Sequence, residues 1–214
     1  RVVVRKWLGL PSPGCNFRLS HRPEYPHADS LANGFACFSV QRADLRSLVA
    51  AAKSWEVTVN DVFMALLLKS LSPWAAARTR GPKRRKISLG CVVSLRKALG
   101  VDSRRTFGLF LGSFTVTHEV PNGISLRDLA REVGQQTHFS KRHQLYLGSS
   151  LELAVARFLL KFIPAGRRNK FHQKYYPLSG GITNMNLNPL WEQNGNPAPL
   201  DYFRAVSTGP VTPL

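Results

Sequence analysis

Histidine is the residue of this sequence whose chemistry best suits a general base or a metal ligand. The chain has six histidines, at positions 21, 27, 118, 138, 143 and 172. None is spaced from another histidine or a cysteine as metal ligands are, so the sequence predicts no metal site. His27 precedes Asp29 by two residues, as an imidazole and its carboxylate partner could, but no nucleophile lies near them in the sequence. His138 and His143 are five residues apart, so they share a helical face poorly and are predicted to be surface residues. The sequence therefore predicts no catalytic residue.

Positive charge is the strongest compositional signal. The 214 residues include 30 Lys and Arg against 12 Asp and Glu, a net charge of +18. Residues 78 to 105 hold ten basic residues against Asp102 alone, and residues 131 to 174 hold nine against two acidic ones. Such blocks attract phosphate or anionic surfaces by long-range steering, although they also serve simply as a solvated surface. We predict an anion-binding surface on the first block, at Lys83, Arg84, Arg85 and Lys86.

Hydrophobic periodicity places these residues on an alternating set of helices and strands. Residues 1 to 34 are rich in Pro and Gly and are predicted to be a crossover or linker, and residues 35 to 214 a folded lobe. Capping boxes, in which side chains three residues apart satisfy the first backbone donors of a helix, are predicted at three starts: Thr58 with Asp61, Ser125 with Asp128, and Ser149 with Glu152. A fourth helix is predicted from about Ala43.

Strands are predicted where apolar residues alternate with polar ones. The predicted strands span residues 35 to 40, 87 to 96, 114 to 120, 182 to 187 and 202 to 207. Because some strands are separated by helices and others follow one another directly, the predicted fold class is α/β in the α+β sense, a mixed sheet covered by helices.

Composition limits the class of protein. Hydrophobic residues make up 43% and charged residues 20%, values typical of a folded globular chain. Three cysteines without a Cys-x-x-Cys pair fit a reducing compartment, so we expect a cytoplasmic location. No apolar run approaches the roughly 20 residues of a membrane-spanning helix. The chain begins at Arg1 rather than Met, and we expect it to be a piece of a longer protein.

Four motifs occur in an order that resembles one protein family. Residues 58 to 63 read Thr-Val-Asn-Asp-Val-Phe, and a later strand ends in Val-Ser-Leu-Arg at Arg96. A basic loop then leads to Phe107-Gly108, although Leu109 stands where the family has Asn, and residues 182 to 184 read Ile-Thr-Asn. Together they resemble the wax ester synthase/diacylglycerol acyltransferase and condensation-domain group.

The resemblance implies the carboxy-terminal lobe of a chloramphenicol acetyltransferase-like, two-lobe acyltransferase. In that family a His-His-x-x-x-Asp motif of the amino-terminal lobe supplies the base, and this chain lacks the motif. The implied role is therefore one wall of a tunnel for acyl donor and acceptor, inactive without the other lobe as its partner. The implied cosubstrate is an acyl thioester of coenzyme A or of an acyl carrier protein, with no covalently bound cofactor.

The resemblance also suggests site residues, each with a structural alternative. Ser94, Arg96, Thr183 and Asn184 are the candidate substrate-binding residues. Arg96 could hold a phosphate or carboxylate by two hydrogen bonds, or belong to a solvated loop. Thr183 and Asn184 could line a polar tunnel, or bond their own backbone. Asn60 and Asp61 belong with Thr58 to a helix start, where capping explains them without a substrate.

An alternative function of a different class follows from charge alone. The chain could be a basic, non-catalytic module that binds phosphate on nucleic acid or on an anionic membrane surface, peripherally rather than as a spanning protein. Nucleic acid is the less favoured partner, because no aromatic residue interrupts Lys83 to Lys86 as a base-stacking platform requires.

Overall fold

The computed structural model describes residues 19–22, 36, 38–78, 84–101, 106, 108, 110–164, 166–168 and 177–184. The α-helices with described bounds are α1 (Arg42–Ser54), α2 (Val59–Arg78), α3 (Leu126–Arg142) and α4 (Ser149–Leu160), and residues 166–168 are also helical. A 3₁₀ turn, Leu145–Gly148, precedes α4. Three strands, β1 (Ile87–Ser94), β2 (Leu111–His118) and β3 (Gly180–Thr183), complete the described elements.

The strands form one mixed sheet in the order β2-β1-β3. β1 and β2 are antiparallel, with Ile87 opposite His118 and Ser94 opposite Leu111. β1 and β3 are parallel, with Leu89 opposite Gly180 and Val92 opposite Thr183. The predicted fold class, a mixed sheet covered by helices, is confirmed.

One face of the sheet carries the hydrophobic core, and we call it the apolar face. It presents Ile87, Leu89 and Cys91 from β1 and Phe114 and Val116 from β2, all buried. Buried side chains of α2 and α3 complete the core: Val62, Met64, Ala65 and Leu68 from α2, and Leu129, Ala130 and Val133 from α3. Period-two strands and amphipathic helices thus bury their apolar sides against each other.

The opposite face, which we call the hydroxyl face, carries small and polar residues. Ser88 of β1 and Thr117 of β2 lie directly opposite each other on it. Both are buried, as are Ser20 and Ser179 beside them. The alternation that makes one side of β1 apolar therefore leaves hydroxyl groups on the other.

A close approach explains one glycine of β2. A Cβ at Gly112 would lie 2.6 Å from the carbonyl oxygen of Tyr146 and 2.7 Å from Cδ2 of Leu95. Both distances are shorter than van der Waals contact, so only glycine lets the 3₁₀ turn lie directly on the strand. This contact ties the start of β2 to the segment that leads into α4.

Several predicted element bounds differ from the structure. Residues 36 and 38–40 form no strand, so the described part of the first predicted strand is wrong. The second strand of the sheet begins at Leu111 rather than Phe114. The last predicted strand, residues 202 to 207, lies outside the described residues, as does most of the predicted linker. Within that linker, Ser20 forms a parallel bridge with Lys86, directly before β1.

No helix among the described residues is long and apolar enough to cross a membrane.

Candidate functional site

The predicted helix start at Thr58 forms as a capping box. The backbone N–H and hydroxyl of Thr58 donate to Oδ2 of Asp61 over 2.8 and 2.6 Å. The Asp61 N–H in turn donates to Oγ1 of Thr58 over 3.2 Å. Asp61 is buried, and its other oxygen accepts from the Thr137 hydroxyl of α3 over 2.7 Å. Asp61 therefore fixes the start of α2 and also joins that start to α3.

Asn60 projects from the same helix turn onto the apolar face of the sheet. Its Nδ2 lies 3.7 Å from Sγ of Cys91 and 3.8 Å from Sδ of Met64, both hydrogen bonds to sulfur. Burial raises the pKa of the Cys91 thiol, an effect that the Asn60 hydrogen bond partly offsets. Thr58 and Asp61 thus form the capping box, whereas the amide of Asn60 contacts sulfur atoms of the core.

Three of the four predicted substrate-binding residues meet at one end of the sheet, which we call the open end. Ser94 is the last residue of β1, and Thr183 and Asn184 are the last of β3 and the residue after it. Because β1 and β3 are parallel neighbours, their carboxyl ends lie at the same edge of the sheet, with Thr183 opposite Val92, two residues before Ser94. All three residues are exposed. The open end therefore presents two hydroxyls and an amide to solvent.

Arg96 lies at the same end but is bound by the chain's own backbone. Its Nη1 donates to the carbonyl of Thr106 over 2.8 Å, and its Nη2 to that of Gly108 over 3.0 Å. The guanidinium also lies 4.7 Å from the ring centre of Phe110, a cation–π contact. Arg96 thus holds the loop after β1, and an anion would have to compete with these carbonyls for its planar edge.

A histidine–glutamate pair lies at the other end of β2, and no local sequence pattern indicated it. His118 Nε2 and Glu132 Oε2 are 2.6 Å apart. The backbone N–H of Val120 donates to Nδ1 of His118 over 2.9 Å. Nδ1 is therefore the acceptor and Nε2 carries the proton that is donated to Glu132. With both nitrogens engaged, His118 is a structural residue and not a free base.

The basic segment before β1 is divided among three different environments. Arg84 is half-buried and donates from Nη1 to the carbonyl of Ser20 over 3.1 Å. Arg85 is exposed, 3.9 Å from Glu119. The backbone of Lys86 pairs with the segment at Ser20, and Lys83 lies outside the described residues. Arg84 thus faces the protein, whereas Arg85 faces solvent.

Helix α4 carries the main exposed apolar surface of the described helices. Leu151, Phe158 and Leu159 of α4 and Phe162, just beyond its end, are 45 to 71% exposed, and they recur at the spacing of one helical face. Phe158 and Phe162 contact edge to face, with ring centres 5.2 Å apart. Basic residues surround this stripe, namely Arg157, Lys161, Arg167 and Arg168, all exposed. We call this surface the α4 stripe.

No group of three or more His, Cys, Asp or Glu side chains within the described ranges is arranged to hold a metal ion.

Comparison with known proteins adds little. No protein-family model matches the chain, and no curated protein matches it in sequence. Among solved structures, it is similar to polyketide synthase associated protein 5 from Mycobacterium tuberculosis, at 17% identity and a TM-score of 0.43. That similarity covers 68% of this chain and 38% of the other, so the chain spans well under half of that protein. A likeness of this size carries no argument about fold or function.

Proposed function

We propose that this chain is the carboxy-terminal lobe of an acyltransferase that uses thioesters of coenzyme A or of a carrier protein. The observation that carries the proposal is the meeting of Ser94, Thr183 and Asn184 at the open end of the sheet. These residues come from two of the four motifs that resemble the family, 89 residues apart in the sequence from Ser94 to Thr183. Their hydroxyl and amide groups supply donors and acceptors for one polar wall of a substrate tunnel.

The reaction requires a base that deprotonates an alcohol or amine, which then attacks the thioester carbonyl and releases the thiol. His118 does not fit this role, because both of its ring nitrogens are hydrogen-bonded within the protein. We assign the base to a second lobe, on the same polypeptide or on a partner chain, that carries His-His-x-x-x-Asp. In this proposal the present lobe binds and orients substrate, and by itself does not catalyse transfer.

The first test is the reading frame upstream of Arg1. The expected finding is a continuous or neighbouring frame that carries His-His-x-x-x-Asp, and its absence would overturn the proposal. The complete protein should then release free thiol from an acyl-coenzyme A or an acyl carrier protein when an alcohol or amine acceptor is present. Replacing the base by Ala should lower the rate by about 10² to 10⁴.

Variants of the open end test the contribution of this lobe. Ser94→Ala and Asn184→Ala in the complete protein should each lower kcat/KM several-fold, because each removes a polar group that faces the substrate. Ser47→Ala is the matched control, since Ser47 is exposed on α1 and bonds only its own helix at Ala43. Equal activity in all three variants would remove the open end from the proposed substrate site.

The α4 stripe favours a second function, binding to an anionic membrane surface. A helix with exposed Leu and Phe on one side and Lys and Arg around them suits the boundary between lipid headgroups and acyl chains. The expected result is flotation of the chain with vesicles that contain phosphatidylserine, but not with purely zwitterionic ones, and its loss in Phe158→Ser/Phe162→Ser. Equal flotation of wild type and variant would contradict this function.

A further inference from the structure

Two buried polar atoms without partners lie at the amino end of β1, away from the open end. They are Nε of Arg22 and Oγ of Ser179. Ser179 is only 8% exposed. A buried donor without a partner is costly, so such atoms are rare in folded proteins and indicate a missing hydrogen-bond acceptor.

The backbone brings both residues to the same side of β1. His21 N–H donates to the carbonyl of Lys86 over 2.7 Å, and Ser179 N–H donates to the carbonyl of Ser88 over 2.8 Å. Lys86 and Ser88 are two residues apart on one strand edge, a distance of about 7 Å. Arg22 directly follows His21, so its backbone lies next to the segment that contains Ser179.

A second arginine shares this region. Nη1 of Arg84 donates to the carbonyl of Ser20, two residues before Arg22. Burial and the nearby positive charge of Arg22 both lower the pKa of Arg84. Within the described ranges no carboxylate forms an ion pair with Arg22 or Arg84. Two half-buried guanidinium groups thus lie close together, and no carboxylate of the described residues pairs with them.

Hydroxyl groups also lie in this region. The Oγ atoms of Ser20 and Ser88 are 2.6 Å apart, and Oγ of Ser88 is 3.0 Å from Oγ1 of Thr117. Ser179 lies on the same face as Ser88, one strand further along. Ser179 thus lies next to this row of hydroxyls but takes no part in its hydrogen bonds.

We propose that Arg22, Arg84 and Ser179 bind one tetrahedral oxyanion, a phosphate ion or the phosphate group of a small ester. Guanidinium groups present pairs of N–H donors that match phosphate oxygens, and a serine hydroxyl donates one further hydrogen bond. Because Nε of Arg22 and Oγ of Ser179 are buried, a compact anion suits these donors better than an extended membrane or nucleic acid. The site does not depend on the proposed acyltransferase activity, because it lies at the opposite end of β1 from Ser94.

The test measures thermal unfolding of the chain while phosphate replaces chloride at constant ionic strength. Parallel titrations with sulfate and with glycerol 3-phosphate distinguish a free tetrahedral anion from an ester. We expect the midpoint to rise with the concentration of phosphate and to stay constant in chloride, as it does when a ligand binds only the folded state. A larger response to glycerol 3-phosphate than to inorganic phosphate would identify an ester as the ligand.

Variants locate the site. Arg22→Gln and Arg84→Gln should each weaken the apparent affinity for phosphate about tenfold, and Ser179→Ala about threefold. Arg85→Gln is the matched control, because Arg85 is adjacent in sequence, carries the same charge and is exposed. Arg22→Lys keeps the charge but lacks the planar donor pair, so it should also weaken binding. The proposal would be overturned if the unfolding midpoint rose equally in chloride and in phosphate. It would also be overturned if Arg85→Gln weakened the apparent affinity for phosphate as much as Arg22→Gln does.

Discussion

The two faces of the three-stranded sheet are built on the same strands and are stabilised in different ways. The apolar face packs Leu89 and Val116 against α2 and α3, with both side chains fully buried. The hydroxyl face instead joins Ser88 to Ser20 and Thr117 through side-chain hydrogen bonds. Apolar contact is non-directional and tolerates neighbours of similar volume, whereas a hydroxyl row requires a specific partner for each group. We therefore expect the apolar face to govern stability and the hydroxyl face to govern specificity.

The largest expected effect is on the apolar face. Leu89→Ala removes a fully buried side chain and leaves a cavity between the sheet and the helices. We expect the free energy of unfolding to fall by about 4 kcal/mol. Urea unfolding followed by circular dichroism measures this loss. Leu111→Ala is the control, because Leu111 is 45% exposed at the start of β2, and equal losses in both variants would contradict the assignment of the core.

Asp61 tests how the helices are held against the apolar face. Asp61→Ala removes the acceptor for Thr58 and leaves the buried hydroxyl of Thr137 without this carboxylate. The loss of a cap and of a buried hydrogen bond together should cost about 2 to 3 kcal/mol. Asp128→Ala is the matched control, since Asp128 closes the corresponding box on α3 with Ser125 but is exposed. Asp128→Ala should lower the free energy of unfolding by about 1 kcal/mol or less. Thermal unfolding of both variants measures the difference between them.

Interactions local in sequence were the ones that could be predicted. The boxes at Thr58 and Ser125 were predicted because their partners lie three residues away, and the structure confirms both. The box predicted at Ser149 is wrong. Gly148 is the N-cap of α4, and Oγ of Ser149 donates to the Tyr146 carbonyl and accepts from the N–H of Ser113. The competing partner in β2 lies 36 residues away, beyond the reach of a local pattern.

The same limit applies to the two faces of the sheet, which position the candidate site at the open end. Alternation along β1 predicted its two faces, and hence the burial of Leu89 and Cys91. It did not predict the pairing of Ser88 with Ser20, 68 residues away. Nor did it predict the side-chain amide of Gln136, which bonds both backbone groups of Thr117 along the edge of β2. Edge strands need such partners, but the sequence does not show which residue provides them.

Ser88 gives a smaller expected effect and tests the hydroxyl face. Ser88→Ala removes the group that joins Ser20 to Thr117. We expect the free energy of unfolding to fall by about 1 to 2 kcal/mol, because buried hydrogen bonds are lost while little volume changes. Ser94→Ala, on the same face of the same strand but exposed, should change it by less than about 0.5 kcal/mol. If the two variants unfold at the same urea concentration, the hydroxyl row does not contribute to stability.

The smallest expected effect concerns Cys91, the one ionisable side chain that β1 places on the apolar face. Burial raises the pKa of its thiol, so the folded state holds the proton to a higher pH than the unfolded chain does. The contribution of Cys91 to stability is therefore complete below the unfolded thiol pKa of about 8.5. It declines as the pH rises from there through the higher pKa of the folded state.

Replacing Cys91 by Ala should make stability fall less steeply with pH in this alkaline range, although the variant is less stable at neutral pH because it loses buried volume. Urea unfolding of both proteins between pH 7 and pH 10 measures the difference, in which the titration of all other groups cancels. Iodoacetamide labelling with peptide mapping gives an independent measurement. Cys91 should react in the native protein much more slowly than in urea, since the thiolate is the reactive form and burial disfavours it. Rapid native labelling at pH 8 would mean that the apolar face is open to solvent at this strand, and the contrast between the two faces would then fail at Cys91.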